Sequence, residues 1–142
     1  MDALVNLSVT IHGLFRWVVA ILAIVVLVKF AIGWLGKRPF TPADKQLGTA
    51  YAMAVTIQFV LGLINLIGYM IAGRFSPGAH MEHAVYGLIA VALAHMTAMF
   101  KNQPDDKRFR NAFFLVLLSL VVVLLSVIRL RAGWFNMAFA PF

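Results

Sequence analysis

The sequence predicts an all-α fold, an integral membrane four-helix bundle running up-down-up-down, with both termini on the outer (periplasmic) face. Three observations carry this. The apolar residues fall into four long blocks, each exceeding the roughly 20 residues that cross a bilayer. Hydrophobic residues make up 63% of the 142 and charged residues only 12%, where a soluble domain carries about 25% charged. The blocks are joined by short links that end in proline-led helix starts, two of them with an acid in the first turn. Strand-like alternation is absent, which argues against a transmembrane barrel. The expected spans are about 9–35, 46–72, 79–100 and 109–131, forming a single domain.

The first span ends near Leu35. Leu4 to Thr10 are expected to prolong it as an interfacial turn. Lys29 is placed to snorkel at the far end, and Trp34 to sit in an aromatic belt. No basic stretch precedes the first apolar block, so this helix is expected to be retained rather than cleaved as a signal peptide. After the basic link Gly36-Lys37-Arg38-Pro39-Phe40, Thr41 reads as a cap. Pro42 takes the first helical position, and Asp44 favours the positive helix end. Ser76-Pro77 is a second start of this kind, and Gln103-Pro104-Asp105-Asp106 a third, with Asn102 as an alternative cap. The segment from Ala132 to Phe142 reads as a short aromatic tail.

Charge sets the expected orientation. One side carries Lys29, Lys37, Arg38, Lys45, Lys101, Lys107, Arg108 and Arg110. The other carries Arg16, Arg74, Arg129 and Arg131. Eight against four places the first side in the cytoplasm and His12 at the outer face. The net charge of +7 is thus a topology signal at helix ends and does not indicate nucleic acid. The absence of cysteine excludes disulfides, covalent c-type haem, thiolate-held clusters and cysteine nucleophiles. Hydrolytic triads, phosphate-cradling loops and acids deep in the spans are also missing. The chain reads as an electron carrier or accessory subunit rather than an enzyme.

Polar residues inside spans are costly and tend to face the bundle interior. On the second helix Gly48, Tyr51, Val55, Gln58, Gly62, Asn65 and Tyr69 recur at three- and four-residue spacing, a seam in which Gln58 and Asn65 bond across helices or touch a ligand. On the fourth, Ser119, Val122, Ser126 and Arg129 form a similar stripe, with packing as the default role for the serines.

His12 lies on the first helix, and His80, His83 and His95 on the third. His95 is twelve residues past His83, about 18 Å deeper, and cannot share its site. The segment from His12 also aligns without gaps on that from His83, a weak internal repeat that places both imidazoles at similar depth. A tetrahedral metal site wants three or four converging ligands, and Glu82 points away from His83. A b-type haem needs only two imidazoles on facing helices, with cationic groups for its propionates. His12 and His83 meet that need, with His80 as the alternative partner. Arg16, Arg74, Arg129 and Arg131 are candidate propionate partners, and Gly13, Gly62 and Gly87 would leave room for the macrocycle. The competing reading is that the histidines are interfacial and merely hydrogen-bonded.

The stretches His12-Gly13-Leu14-Phe15-Arg16-Trp17, Gly33-Trp34-Leu35-Gly36-Lys37-Arg38-Pro39-Phe40, Gln58 ahead of Leu61-Gly62, and Glu82-His83 carry a resemblance. Over nearly its whole length the chain resembles short four-helix bacterial membrane proteins labelled cytochrome b-like. The resemblance singles out His12, Arg16, Trp17, Gln58, Gly62, Glu82 and His83. Two-haem transmembrane cytochromes place paired histidines near both faces, whereas here His95 has no inner-face partner.

The expected function is therefore haem b binding and electron transfer near the outer face of a bacterial cytoplasmic (inner) membrane. The site residues would be His12, His83, Arg16, His80, Gln58 and Arg129. The expected partners are the lipid bilayer, a quinone and a larger respiratory or photosynthetic complex. The alternatives are a cofactor-free assembly subunit and a quinone- or pigment-binding subunit.

Overall fold

The structure is a computed structural model that describes residues 2–131, and the expected tail at 132–142 lies outside them. Four helices follow one another: α1 (Asp2–Leu35), α2 (Pro42–Ile71), α3 (Pro77–Met96) and α4 (Asp105–Arg131). A 3₁₀ turn, Thr97–Phe100, extends α3. Each helix packs on its two chain neighbours, and α1 and α4 close the ring. The result is an all-α up-down-up-down bundle. All four helices are long and apolar enough to cross a membrane. Large apolar side chains such as Leu14, Ile21, Ile64 and Leu118 cover its outside, as lipid contact requires. This is a multi-pass membrane protein.

Helix starts follow local chemistry. Thr41 and Asp44 form a full capping box: the Thr41 amide donates to Asp44 Oδ2 at 2.9 Å, and the Asp44 amide donates to the Thr41 hydroxyl. Asp44 is itself buried and meets Lys29 at 3.6 Å, so Lys29 ties α1 to α2 besides reaching the surface. Ser76 is not a side-chain cap. Its backbone amide instead donates to His80 Nδ1 at 2.9 Å. Helix α1 begins at Asp2, so Leu4 to Thr10 are helix proper and not an interfacial turn.

The two halves of the bundle differ. The end bearing the α1–α2 and α3–α4 links holds the dry core, built from Val19, Ala23, Val26, Phe30, Tyr51 and Phe109 with their neighbours. There the Phe109 ring lies directly on Gly33, where a Cβ would fall 2.5 Å from it. Trp34 is half-buried and packs on Phe113 and Phe114 at 6.1 and 5.8 Å between ring centroids. Tyr51 Oη bonds Ser119 Oγ at 3.0 Å, and Ser119 Oγ donates to the Ala90 carbonyl at 2.9 Å. This relay fastens α2, α4 and α3 together. The other half, where α1 begins and α4 ends, contains a cavity.

Candidate functional site: a polar cavity between His12 and His83

The predicted α2 stripe faces inward as expected. Gln58, Gly62, Asn65 and Tyr69 line the cavity with His12 and Arg16 of α1, His80 and His83 of α3, and Ser126 of α4. Its walls run from Val55 to Tyr69 along α2, about 21 Å at the helical rise. It encloses about 110 Å³ of empty space.

His12 and His83 meet across it, with ring centroids 6.1 Å apart and planes at 73°. Their helices α1 and α3 run parallel, and both are antiparallel to α2, which sets the depth of α1. Ser8 of α1 bonds Asn65 of α2 at 2.5 Å, and Val5 sits against Gly68, which fixes how far α1 has descended when it reaches His12.

Hydrogen bonds set the tautomers. The Gln58 side-chain amide donates to the His12 carbonyl at 3.0 Å and lies 3.3 Å from His12 Nε2. An amide nitrogen only donates, so Nε2 of His12 accepts and the ring proton sits on Nδ1. His83 Nδ1 lies 2.6 Å from Ser126 Oγ and 3.4 Å from the Ser126 carbonyl. A carbonyl only accepts, so the proton belongs on Nδ1 and the lone pair on Nε2. His80 is the opposite case. Its Nδ1 accepts the Ser76 amide, so its neutral ring carries the proton on Nε2. His80 is also held in a stack, 4.8 Å from Tyr69 at 7° and 5.8 Å from Phe75. A neutral imidazole in that state has no Nε2 lone pair to give. The alternative pairing of His12 with His80 is corrected by this geometry: His83 is the ring that faces His12.

No protein-family model, no curated protein and no solved structure matches the chain. The site is read from its own residues.

Two further expectations need correction. Arg129 does not line the cavity. It is exposed and forks onto Glu82, donating to Oε1 at 2.9 Å and Oε2 at 3.2 Å, a clamp between α4 and α3. Gly13, Gly62 and Gly87 all line the cavity, but the last two are also points of close contact. A Cβ at Gly62 would stand 3.1 Å from His12 Cε1, and one at Gly87 would stand 2.9 Å from the Phe59 ring. Gly62 lets the imidazole lie against α2, and Gly87 admits Phe59.

Arg16 is buried at 4% exposure. It lies one turn beyond His12, about 6 Å, toward the middle of the bundle rather than the nearer surface. His95 stands apart and exposed, 3.0 Å from the Thr56 hydroxyl. Ser126 was not marked as a site residue in sequence, where it reads as one of two packing serines. Only its position opposite His83 reveals the role.

Proposed function

We propose that the chain is a bacterial cytoplasmic-membrane protein that holds one b-type haem between His12 and His83 and carries electrons near the outer face. On this reading the charge count places the cavity half outward, and the protein serves a larger respiratory or photosynthetic assembly. Such a group supplies reversible one-electron transfer.

The observation that carries the reading is the opposed pair at 6.1 Å. His12 and His83 would hold the group between them, each offering one imidazole nitrogen. Both rings are in the tautomer with the lone pair on Nε2, the form a metal-bound imidazole needs. Ser126 supplies the second hydrogen bond that orients His83, as outer-shell partners of ligating histidines do. Among the described residues no three His, Cys, Asp or Glu side chains converge. Two protein ligands suffice only when the cofactor brings its own remaining donors, as haem does. The Gln58 amide can leave Nε2 of His12 and keep its bond to the His12 carbonyl. The half-buried Phe59 and the more exposed Leu63 are the wall side chains that must swing to widen the slot for a macrocycle.

The cavity's size favours one second reading. Its 110 Å³ falls short of the roughly 150 Å³ that admits benzene, so a quinone head group also needs the walls to give, but far less than a macrocycle does.

One experiment separates the readings. The protein is expressed in haem-replete cells, purified in detergent and examined by reduced-minus-oxidised spectroscopy and organic extraction. Soret and alpha bands are expected, lost in His12→Ala and in His83→Ala and retained in His80→Ala. A folded, colourless preparation sinks the haem reading. If that preparation yields quinone, the second reading takes its place. If it yields none, an assembly role is left.

A further inference from the structure

The end opposite the cavity carries most of the charge. Its eight cations stand against Asp44, Asp105 and Asp106. Lys29 and Asp44 meet at 3.6 Å, which leaves seven cations against two acids, an excess of five. Among the described residues none of these seven forms an ion pair. A topology signal asks only that charge lie on one side. Two features here go beyond that. The first is a track on α4. Arg110, Phe114, Leu117 and Val121 are all exposed and recur at four-, three- and four-residue spacing, so they share one lipid-facing stripe. A cation heads it, about 6 Å along the axis from the first apolar ring.

The second feature is the way the α1–α2 link is held beside that track. Trp34 meets Phe114 at 5.8 Å, which sets the last turn of α1 against the stripe. The chain then turns at Lys37, whose φ of 48° lies in the left-handed region where glycine is usual at a helix end. The Arg38 amide donates back to the Gly33 carbonyl at 3.0 Å. Phe40 lies on Phe109 at 4.8 Å, and Arg108 covers the Phe40 ring at 3.7 Å. Two basic link residues are thus fixed at the α1–α4 seam, where Arg110 begins its track.

We propose that this seam binds one anionic phospholipid. Its phosphodiester lies between Arg110 and the Lys37–Arg38 link, and one acyl chain follows Phe114, Leu117 and Val121. Arginine offers phosphate a planar fork and lysine a point charge. The apolar track gives the chain a contact that a free phosphate ion cannot use. The site lies outside the cavity and is independent of what the cavity holds.

The full chain is purified in neutral detergent, delipidated and followed by native mass spectrometry. It is titrated with phosphatidylglycerol, with phosphatidylcholine of the same chains and with inorganic phosphate. One phosphatidylglycerol is expected to bind ahead of further copies, and neither other probe should match it. A cation at the headgroup layer is worth about fivefold in affinity, so Arg110→Gln with Lys37→Gln should weaken that first binding roughly 25-fold. Lys45→Gln with Lys101→Gln removes the same charge from α2 and the α3–α4 link, and should leave the binding within about twofold because salt screens distant charges. Equal losses in the two double variants overturn the proposal, since the charge would then act as a diffuse field. Equal binding of phosphatidylcholine, or of phosphate alone, also overturns it. If the first double variant does not accumulate, Arg110→Gln alone should weaken binding about fivefold, and an unchanged affinity overturns the proposal.

Discussion

Ser126 grips His83 across the α3–α4 seam, with Oγ 2.6 Å and the backbone oxygen 3.4 Å from the same ring nitrogen. Both atoms belong to one residue, so the ring is fixed in rotation as well as in tautomer. Ser126→Ala removes the shorter contact and leaves the longer. Loss of such an outer-shell partner weakens ligation by about 10–100-fold. A haem titration of the purified apoprotein is expected to show that loss without a change in helix content. Binding as tight as the parent would mean that the carbonyl alone orients the ring.

Gly62 controls the other ligand. A methyl there stands 3.1 Å from His12 Cε1, close enough that the imidazole must yield by a few tenths of an ångström. Gly62→Val demands more, because a branched side chain leaves the ring no place against α2. Cofactor binding is expected to fall in the order Gly62, Ala, Val. Thermal stability should change much less, since the dry core lies in the other half of the bundle. A parallel collapse of melting temperature and binding would instead make Gly62 a folding residue.

Much of this was legible in the sequence for identifiable reasons. Thr41, Pro42 and Asp44 act within one helical turn, so their spacing alone predicts the capping box. The α2 stripe is legible because Gln58, Asn65 and Tyr51 stand out against an apolar background. The α4 stripe is legible in the same way through Ser119 and Ser126, both buried, but the facing of the purely apolar stretches is not, because lipid is as apolar as a protein core and erases the usual amphipathic signal. Ser126 reads as packing when it holds a histidine. Ser76 looks like a cap because its neighbour is proline, yet the His80 ring takes its amide. Arg129 looks like a propionate partner until α3 places Glu82 against it.

Gly33 tests the opposite half. Its missing side chain is filled by Phe109, whose three nearest ring carbons lie 2.5 to 2.7 Å from where a Cβ would be. Phe109 is itself fully buried and meets Phe30 edge-on and Phe40 at a tilt, at 5.8 and 4.8 Å, so it has little freedom to retreat. Gly33→Ala is expected to destabilise by about 1–3 kcal/mol, the range of overpacked cores. Thermal unfolding in detergent measures it. Gly33→Ala combined with Phe109→Leu should recover part of the loss, because the shorter side chain vacates the space. No recovery would place the strain in the α1 backbone.

The buried relay from Tyr51 through Ser119 to Ala90 allows a sharper comparison. Tyr51→Phe removes one hydroxyl and leaves Ser119 still donating to the Ala90 carbonyl, so its cost should be about 1 kcal/mol. Ser119→Ala strands the Tyr51 hydroxyl and withdraws a donor from the carbonyl at once, both inside a dry core. The Ala90 carbonyl keeps its helical partner, but a stranded buried hydroxyl costs about 1–3 kcal/mol, so this single change should destabilise more than Tyr51→Phe. In the double variant no hydroxyl is left to strand, and the loss should fall short of the sum of the two singles. Unfolding free energies of the four proteins close this cycle. A strictly additive double variant would show that Tyr51 and Ser119 are bonded in geometry but not coupled in energy.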